Sequence, residues 1–123
     1  MNKYKRYHQS EKGRAAKRRY KQSEKGKAAS HRAYRNYCIK LKNEVINYYG
    51  GECACCGIKW LAFLTIDHVD GRGKAHRRQV GRCGLAFYRW LKKNKFPKGY
   101  QVLCWNCNCG RAINNGVCPH KEI

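Results

Sequence analysis

Two short cysteine pairs stand out in the chain, Cys53 with Cys56 in "CACCG" and Cys104 with Cys107 in "LCWNCNCG". A two-residue spacer turns both sulfurs of a pair toward one point. Two such pairs, each at the end of an extended segment, supply the four thiolates of a tetrahedral structural Zn²⁺. Cys55 leaves the register of the first pair open. Buried or redox cysteines are the alternative, and no thioredoxin-like βαβ pattern accompanies the pairs. Cys38, Cys83, Cys109 and Cys118 remain. "CPH" at Cys118 and His120, close in sequence to Cys109, offers a second metal site. A short tail that packs its cysteine and histidine against the domain is the simpler reading.

Between the pairs lies "TIDHVDGRGKAHRR". Asp67 and His68 end an apolar strand, where adjacent side chains point to opposite faces unless the chain turns at that point. Asp70, Gly71 and Gly73 predict such a turn. A carboxylate holds a hard divalent cation through oxygen, and a neutral imidazole removes a proton from water. Cleaving a phosphodiester needs both, although an Asp beside a His at a turn is also an ordinary hydrogen-bonded pair.

The elements that must position these groups are legible in outline. Cys38, Leu41, Val45 and Tyr48 or Tyr49 recur at helical spacing, and Gly50 and Gly51 end the run. "WLAFLTIDHV" favours extended structure through Phe63, Leu64, Thr65, Ile66 and Val69. "GLAFYRWLKKNK" predicts an amphipathic helix with Leu85, Tyr88 and Leu91 on one face and Lys92, Lys93 and Lys95 near its end. Pro97 and Gly99 separate it from a short strand "YQVLC", and a last helix starts within "CWNCNCGRAI".

Charge divides the chain. With 28 Lys and Arg against 7 Asp and Glu, the net charge is +21 over 123 residues. Residues 1–43 form a basic arm; residues 44–123 hold the cysteines and the Asp-His pair. The arm repeats with a 13-residue period, "KRYHQSEKGRAAK" from Lys5 and "RRYKQSEKGKAAS" from Arg18, with a partial third copy at "HRAY" from His31. Its glycines, Gly13 and Gly26, cost roughly 1 kcal/mol each inside a helix, which predicts marginal helices. Thirteen residues make about 3.6 turns, so a continuous helix would carry basic groups on all sides. A polyanion is the natural partner, and phosphate neutralisation makes nucleic acid the leading one. Arg6, Arg14, Lys17, Arg18, Arg19, Lys27, Arg32 and Arg35 are the candidate contacts in the arm, with Arg72, Arg77 and Arg78 in the second part. Tyr7, Tyr20 and Tyr34, interleaved with arginine, suit base or sugar stacking. The bland alternative is a solvated charge run. A membrane surface fits less well, because the basic stretch has no apolar face.

One small domain of this length buries too little apolar surface to be comfortably stable without a staple. No apolar run follows the basic N-terminus, so no signal peptide is expected. A cytoplasmic or nucleoid-associated, unsecreted chain and metal-bound rather than paired cysteines are the matching expectations.

The combination of CxxC, then "DH" at the end of a strand, then "LCxxCN", resembles the HNH endonucleases, in particular the zinc-bearing branch similar to phage recombination endonuclease VII. The resemblance spans about Cys53 to His120. It implies a small zinc-stabilised α+β domain with a ββα-metal (His-Me finger) core, preceded here by the basic helical arm. It further implies that Asp67 and Asn108 hold a catalytic Mg²⁺ or Mn²⁺ and that His68 is the general base. A basic residue among Arg72, Arg77 and Arg78 would clamp the phosphate, with His76 a further participant through substrate contact. DNA is the expected substrate ahead of RNA. For Asn108 alone, helix capping would be the default. Two positions depart from the pattern: Gly99 replaces a bracing asparagine, and Asp70 replaces a histidine two residues after the base. The alternative is a non-enzymatic zinc protein that binds DNA or RNA, or a ribonucleoprotein component, on the same scaffold.

Overall fold

The computed structural model describes residues 1–81 and 84–122. Among them lie six α-helices and one two-stranded sheet, a small α+β fold. The chain divides into two compact units, Met1–Tyr37 and Cys38–Ile123.

The repeat is built as helix, break, helix. Helices α1 (Lys3–Gln9), α2 (Glu11–Gln22) and α3 (Glu24–Tyr48) meet at Ser10 and Ser23. Both serines are extended, with ψ of 156°, and each ends one helix while capping the next. Ser10 Oγ donates to Tyr7 O at 2.6 Å and accepts from Gly13 N at 3.1 Å; Ser23 repeats both bonds with Tyr20 O and Gly26 N at the same distances. The glycines are what permit the break. A Cβ on Gly13 would lie 2.0 Å from Tyr7 O, and one on Gly26 would lie 1.9 Å from Tyr20 O. The arm is thus a series of separate helices, the 13-residue period is the spacing of their capped junctions, and each glycine lets the preceding turn approach.

In the second unit, Leu41, Val45 and Ile46 on the C-terminal part of α3 are buried, and the helix ends before Gly50 and Gly51, whose φ values of +121° and +74° suit glycine. A 3₁₀ turn over Leu61–Phe63 leads into β1 (Leu64–His68), which pairs antiparallel with β2 (Tyr100–Cys104) from Leu64↔Cys104 to His68↔Tyr100. The Leu64 and Cys104 end is buried; the His68 and Tyr100 end is half-buried. Helix α4 (Gly73–Val80) is an addition that glycine spacing had concealed as a turn. Helix α5 (Gly84–Lys93) buries Leu91 and half-buries Leu85 and Tyr88, as its pattern predicts. Helix α6 (Trp105–Ile113) follows β2 without a gap, runs back over both strands, and is contacted by the last 3₁₀ turn, Pro119–Lys121.

No helix among the described residues is long and apolar enough to cross a membrane.

Candidate functional site

The sheet carries one candidate site at each end. At its buried end the four sulfurs of Cys53, Cys56, Cys104 and Cys107 all lie within 4.8 Å of one another. Local structure explains how. Cys53 N donates to Ile58 O and Gly57 N to Cys53 O, a tight turn that brings Cys56 back toward Cys53. Cys104 ends β2 and caps α6, its sulfur accepting from Cys107 N at 3.4 Å. This group could hold a structural metal such as zinc, and Cys53 and Cys56 set the register of the first pair.

Cys55 joins a second group, with Cys107, Cys118 and His120, whose ligand atoms also lie within 4.8 Å of one another. The tail packs its cysteine and histidine against the domain beside two further sulfurs: Cys118 is buried, and His120 Nδ1 faces three sulfurs. Cys109, its expected neighbour, is exposed and belongs to neither group. Cys38 is half-buried and also outside both; Cys83 lies outside the described residues. The electrostatics suit a cation. Burial pushes the Cys53 thiol up, but hydrogen bonds from the backbone of Cys56, Cys104 and Cys55 outweigh it and bring the group down to about 6. Burial, then hydrogen bonding with the Cys104, Cys53, Cys56 and Cys118 sulfurs, pushes the Cys107 thiol up.

At the other end of the sheet, β1 has β2 on one side only, and a cavity of about 370 Å³ runs along its open edge. Asp67, His68 and Asn108 all line it, with Thr65, His76 and Arg77. The chain turns after His68 rather than between it and Asp67, so the two side chains occupy opposite faces of β1, with Asp67 turned to Gln101 and Arg111. Gly71 N donates to His68 O in that turn, and Asp70 Oδ1 accepts from Arg72 N at 3.0 Å, which makes Asp70 a turn residue. Val69 N donates to Gly99 O, extending the strand pairing, and Gly99 has φ of +102°, a conformation that an asparagine there would adopt at a cost.

Each candidate has defined partners. His68 stacks on Phe87 with centroids 5.2 Å apart, and its Nε2 lies 2.9 Å from His76 Nδ1. Its pKa is lowered first by burial and then by the neighbouring His76 and Arg77, while Asp67 and Asp70 oppose the shift. Asp67 Oδ2 accepts from Gln101 Nε2 at 3.0 Å and from the Arg111 guanidinium in a short ion pair. Asn108 Nδ2 donates to Thr65 Oγ1 at 3.0 Å. Of the proposed phosphate clamps, Arg77 lines the cavity, Arg72 pairs with Asp70 on the exposed turn, and Arg78 is exposed on α4. The arm residues Arg6, Arg14, Lys17, Arg18, Arg19, Lys27, Arg32 and Arg35 are all exposed. Arg18 pairs with Glu11 and Lys27 with Glu24.

Arg111 is the residue of this site that sequence reasoning missed. It lies three residues after Asn108 on α6, as Asp67 lies two after Thr65 on β1, so helix and strand periods bring the two pairs face to face. Besides Asp67 it donates to Val69 O at 2.7 Å and Gly116 O at 3.0 Å. It therefore braces the turn that follows β1.

Fold and sites define a small α+β protein whose cysteine cluster could hold a structural metal. Comparison with protein-family models, with curated proteins and with solved structures returned no match for this chain.

Proposed function

We propose that this chain is a metal-dependent endonuclease of the HNH type that hydrolyses phosphodiester bonds in nucleic acid, with DNA the favoured substrate. The observation that carries the reading is the meeting of Asp67, His68 and Asn108 on one cavity, along the open edge of a strand whose other end is tied to the cysteine cluster. The arrangement of β1, β2 and α6 supports a ββα-metal core.

The donor set suits a hard cation: a carboxylate, and an amide whose Nδ2 is committed to Thr65 so that its oxygen is the atom left to coordinate. Asp67 and Asn108 would hold Mg²⁺ or Mn²⁺, which when bound would stabilise the charge developing on the phosphate and the leaving 3′ oxygen. His68 takes the proton of the attacking water, and its stacking on Phe87 and contact with His76 fix the ring for that transfer. Arg77, which lines the cavity, would orient the scissile phosphate. The basic arm grips the backbone without reading sequence.

A second reading rests on the Asp67–Arg111 ion pair, which occupies a carboxylate oxygen that a catalytic ion would use. On that reading the chain binds DNA or RNA and does not cut. The test is incubation of the zinc-loaded protein with supercoiled, linear and branched DNA and with RNA, in Mg²⁺ or Mn²⁺, beside His68→Ala. Divalent-dependent cleavage that His68→Ala abolishes is expected. Cleavage surviving in the variant would remove His68 as base, and tight binding without any cleavage would leave the second reading.

A further inference from the structure

We infer that the two cysteine groups form one dinuclear zinc cluster in which the Cys107 thiolate bridges both ions. This inference is independent of the nuclease reading.

Cys107 is common to both groups, with Cys53, Cys56 and Cys104 in one and Cys55, Cys118 and His120 in the other. It is fully buried on the first turns of α6, so its sulfur sits where the two sets meet. The spacings within each set match coordination. With Zn–S near 2.3 Å and Zn–N near 2.0–2.1 Å, tetrahedral edges are about 3.8 Å for S···S and about 3.5 Å for S···N. Cys56 Sγ lies 3.7 Å from Cys104 Sγ in the first set. In the second, His120 Nδ1 lies 3.4 Å from Cys107 Sγ, 3.6 Å from Cys118 Sγ and 3.8 Å from Cys55 Sγ.

Hydrogen bonding does not account for the second set. One ring nitrogen carries either a single proton or a single lone pair, so it cannot serve three sulfurs at once. A cation at the centre of the four atoms can, with each thiol releasing its proton to solvent on binding. Three thiolates and an imidazole suit zinc rather than a hard ion.

The chain is shaped to present this second set. "CACC" sends Cys53 and Cys56 to one ion and Cys55 to the other, which gives the odd cysteine of that knuckle a role. The tail is held close to α6 at Gly110, where a Cβ would lie 3.0 Å from Pro119 Cδ. Closing Pro119 onto the helix places Cys118 and His120, on either side of it, against Cys107.

The experiment is metal counting on the full zinc-loaded chain by native mass spectrometry and elemental analysis, followed by ¹¹³Cd substitution. Two ions per chain are expected, and two ¹¹³Cd resonances that split each other through the shared sulfur. Cys55→Ala and His120→Ala should each lower the count from two to one while the protein keeps a cooperative melt. One ion per chain in the unaltered protein would overturn the inference. So would two resonances without mutual splitting, or two ions retained in Cys55→Ala.

Discussion

Replacing Arg111 by methionine keeps a good helix former and an aliphatic stem while removing the guanidinium. That group holds Asp67 Oδ2, Val69 O at 2.7 Å, Gly116 O at 3.0 Å and His68 O at 3.4 Å. Val69 and Gly116 are exposed, so their carbonyls regain water. The cost therefore falls mainly on Asp67, which keeps its bond from Gln101 but loses its counter-charge. Removing one partner of a buried pair costs about 3–5 kcal/mol. Here the side chains are 22% and 18% exposed, and solvent screening brings the loss to about 2–3 kcal/mol. The assay is the urea midpoint of the zinc-loaded protein, read with its slope so that a change in the unfolded state is recognised. Divalent ions make the measurement functional. If Asp67 is a metal ligand, Mg²⁺ takes the place of the guanidinium in the variant and restores about 2.7 kcal/mol at a hundredfold excess over its dissociation constant. The unaltered protein, with that oxygen already engaged, should respond much less. A loss under about 1 kcal/mol would mean the pair behaves as an exposed one. A loss of the expected size that neither Mg²⁺ nor Mn²⁺ relieves would remove Asp67 as a metal ligand and favour binding without cleavage.

Zinc chelation should abolish the cooperative melt of residues 38–123; a melt surviving complete metal removal, checked by elemental analysis, would defeat the structural role of the cysteines. Gly13→Ala with Gly26→Ala should open both serine junctions, because each Cβ would fall about 2 Å from a carbonyl oxygen. Spin labels at Tyr4 and Lys21 should then approach the roughly 26 Å of a continuous helix, and an unchanged distance would show that the junction tolerates the methyl group. NMR titration of His68, with zinc in place, should give a pKa below its usual value of about 6.5, since burial and then His76 disfavour the proton. Its neutral form is the one the fold prefers, so this group's contribution to stability is intact above about pH 6.5 and is lost as pH falls toward the lowered value. A pKa at or above 6.5 would contradict the buried environment.

The elements with strong local signals were legible. "YQVLC" and the Phe63–Val69 run contain β2 and β1, "GLAFYRWLKK" is α5, and the first cysteine set follows from CxxC spacing. What escaped notice depends on contacts between distant segments. Helix α4 is short, opens on a glycine and is mostly polar, so it is recognised chiefly by what it covers, with His76 against His68 and Trp90. Arg111 has no sequence mark that separates it from the other arginines, and its role appears only when α6 lies on the sheet. The glycines of the repeat were visible, but propensity treats them as a cost. Their role is steric, and it shows only when the preceding carbonyl is in place. The second metal group combines a knuckle residue, a helix residue and a tail, and no spacing rule links Cys55 to His120 across 65 positions.

The coincidence of core and metal ligands has a consequence for how both sites work. Of the twelve buried apolar residues among those described in the second unit, Cys53, Cys104, Cys107 and Cys118 are candidate ligands, so a third of this core is also the candidate metal cluster. A unit of this size is marginal on apolar burial alone, and for such a unit the free energy of metal binding is folding free energy. The strand pair transmits that stability along its length. Leu64 and Cys104 are fixed at the cluster, and two strands in register fix Asp67, His68, Gln101 and Tyr100 at the other end. Helix α6 repeats the link, with Cys107 in the cluster, Asn108 on Thr65 and Arg111 on Asp67. Asn108 and Cys107 are adjacent, so a shift of the metal end by one helical residue would carry the amide about 100° around the axis and out of reach of β1. A metal held at the cysteine end would thus set the geometry of the cavity some distance away, through the strand pair and helix α6.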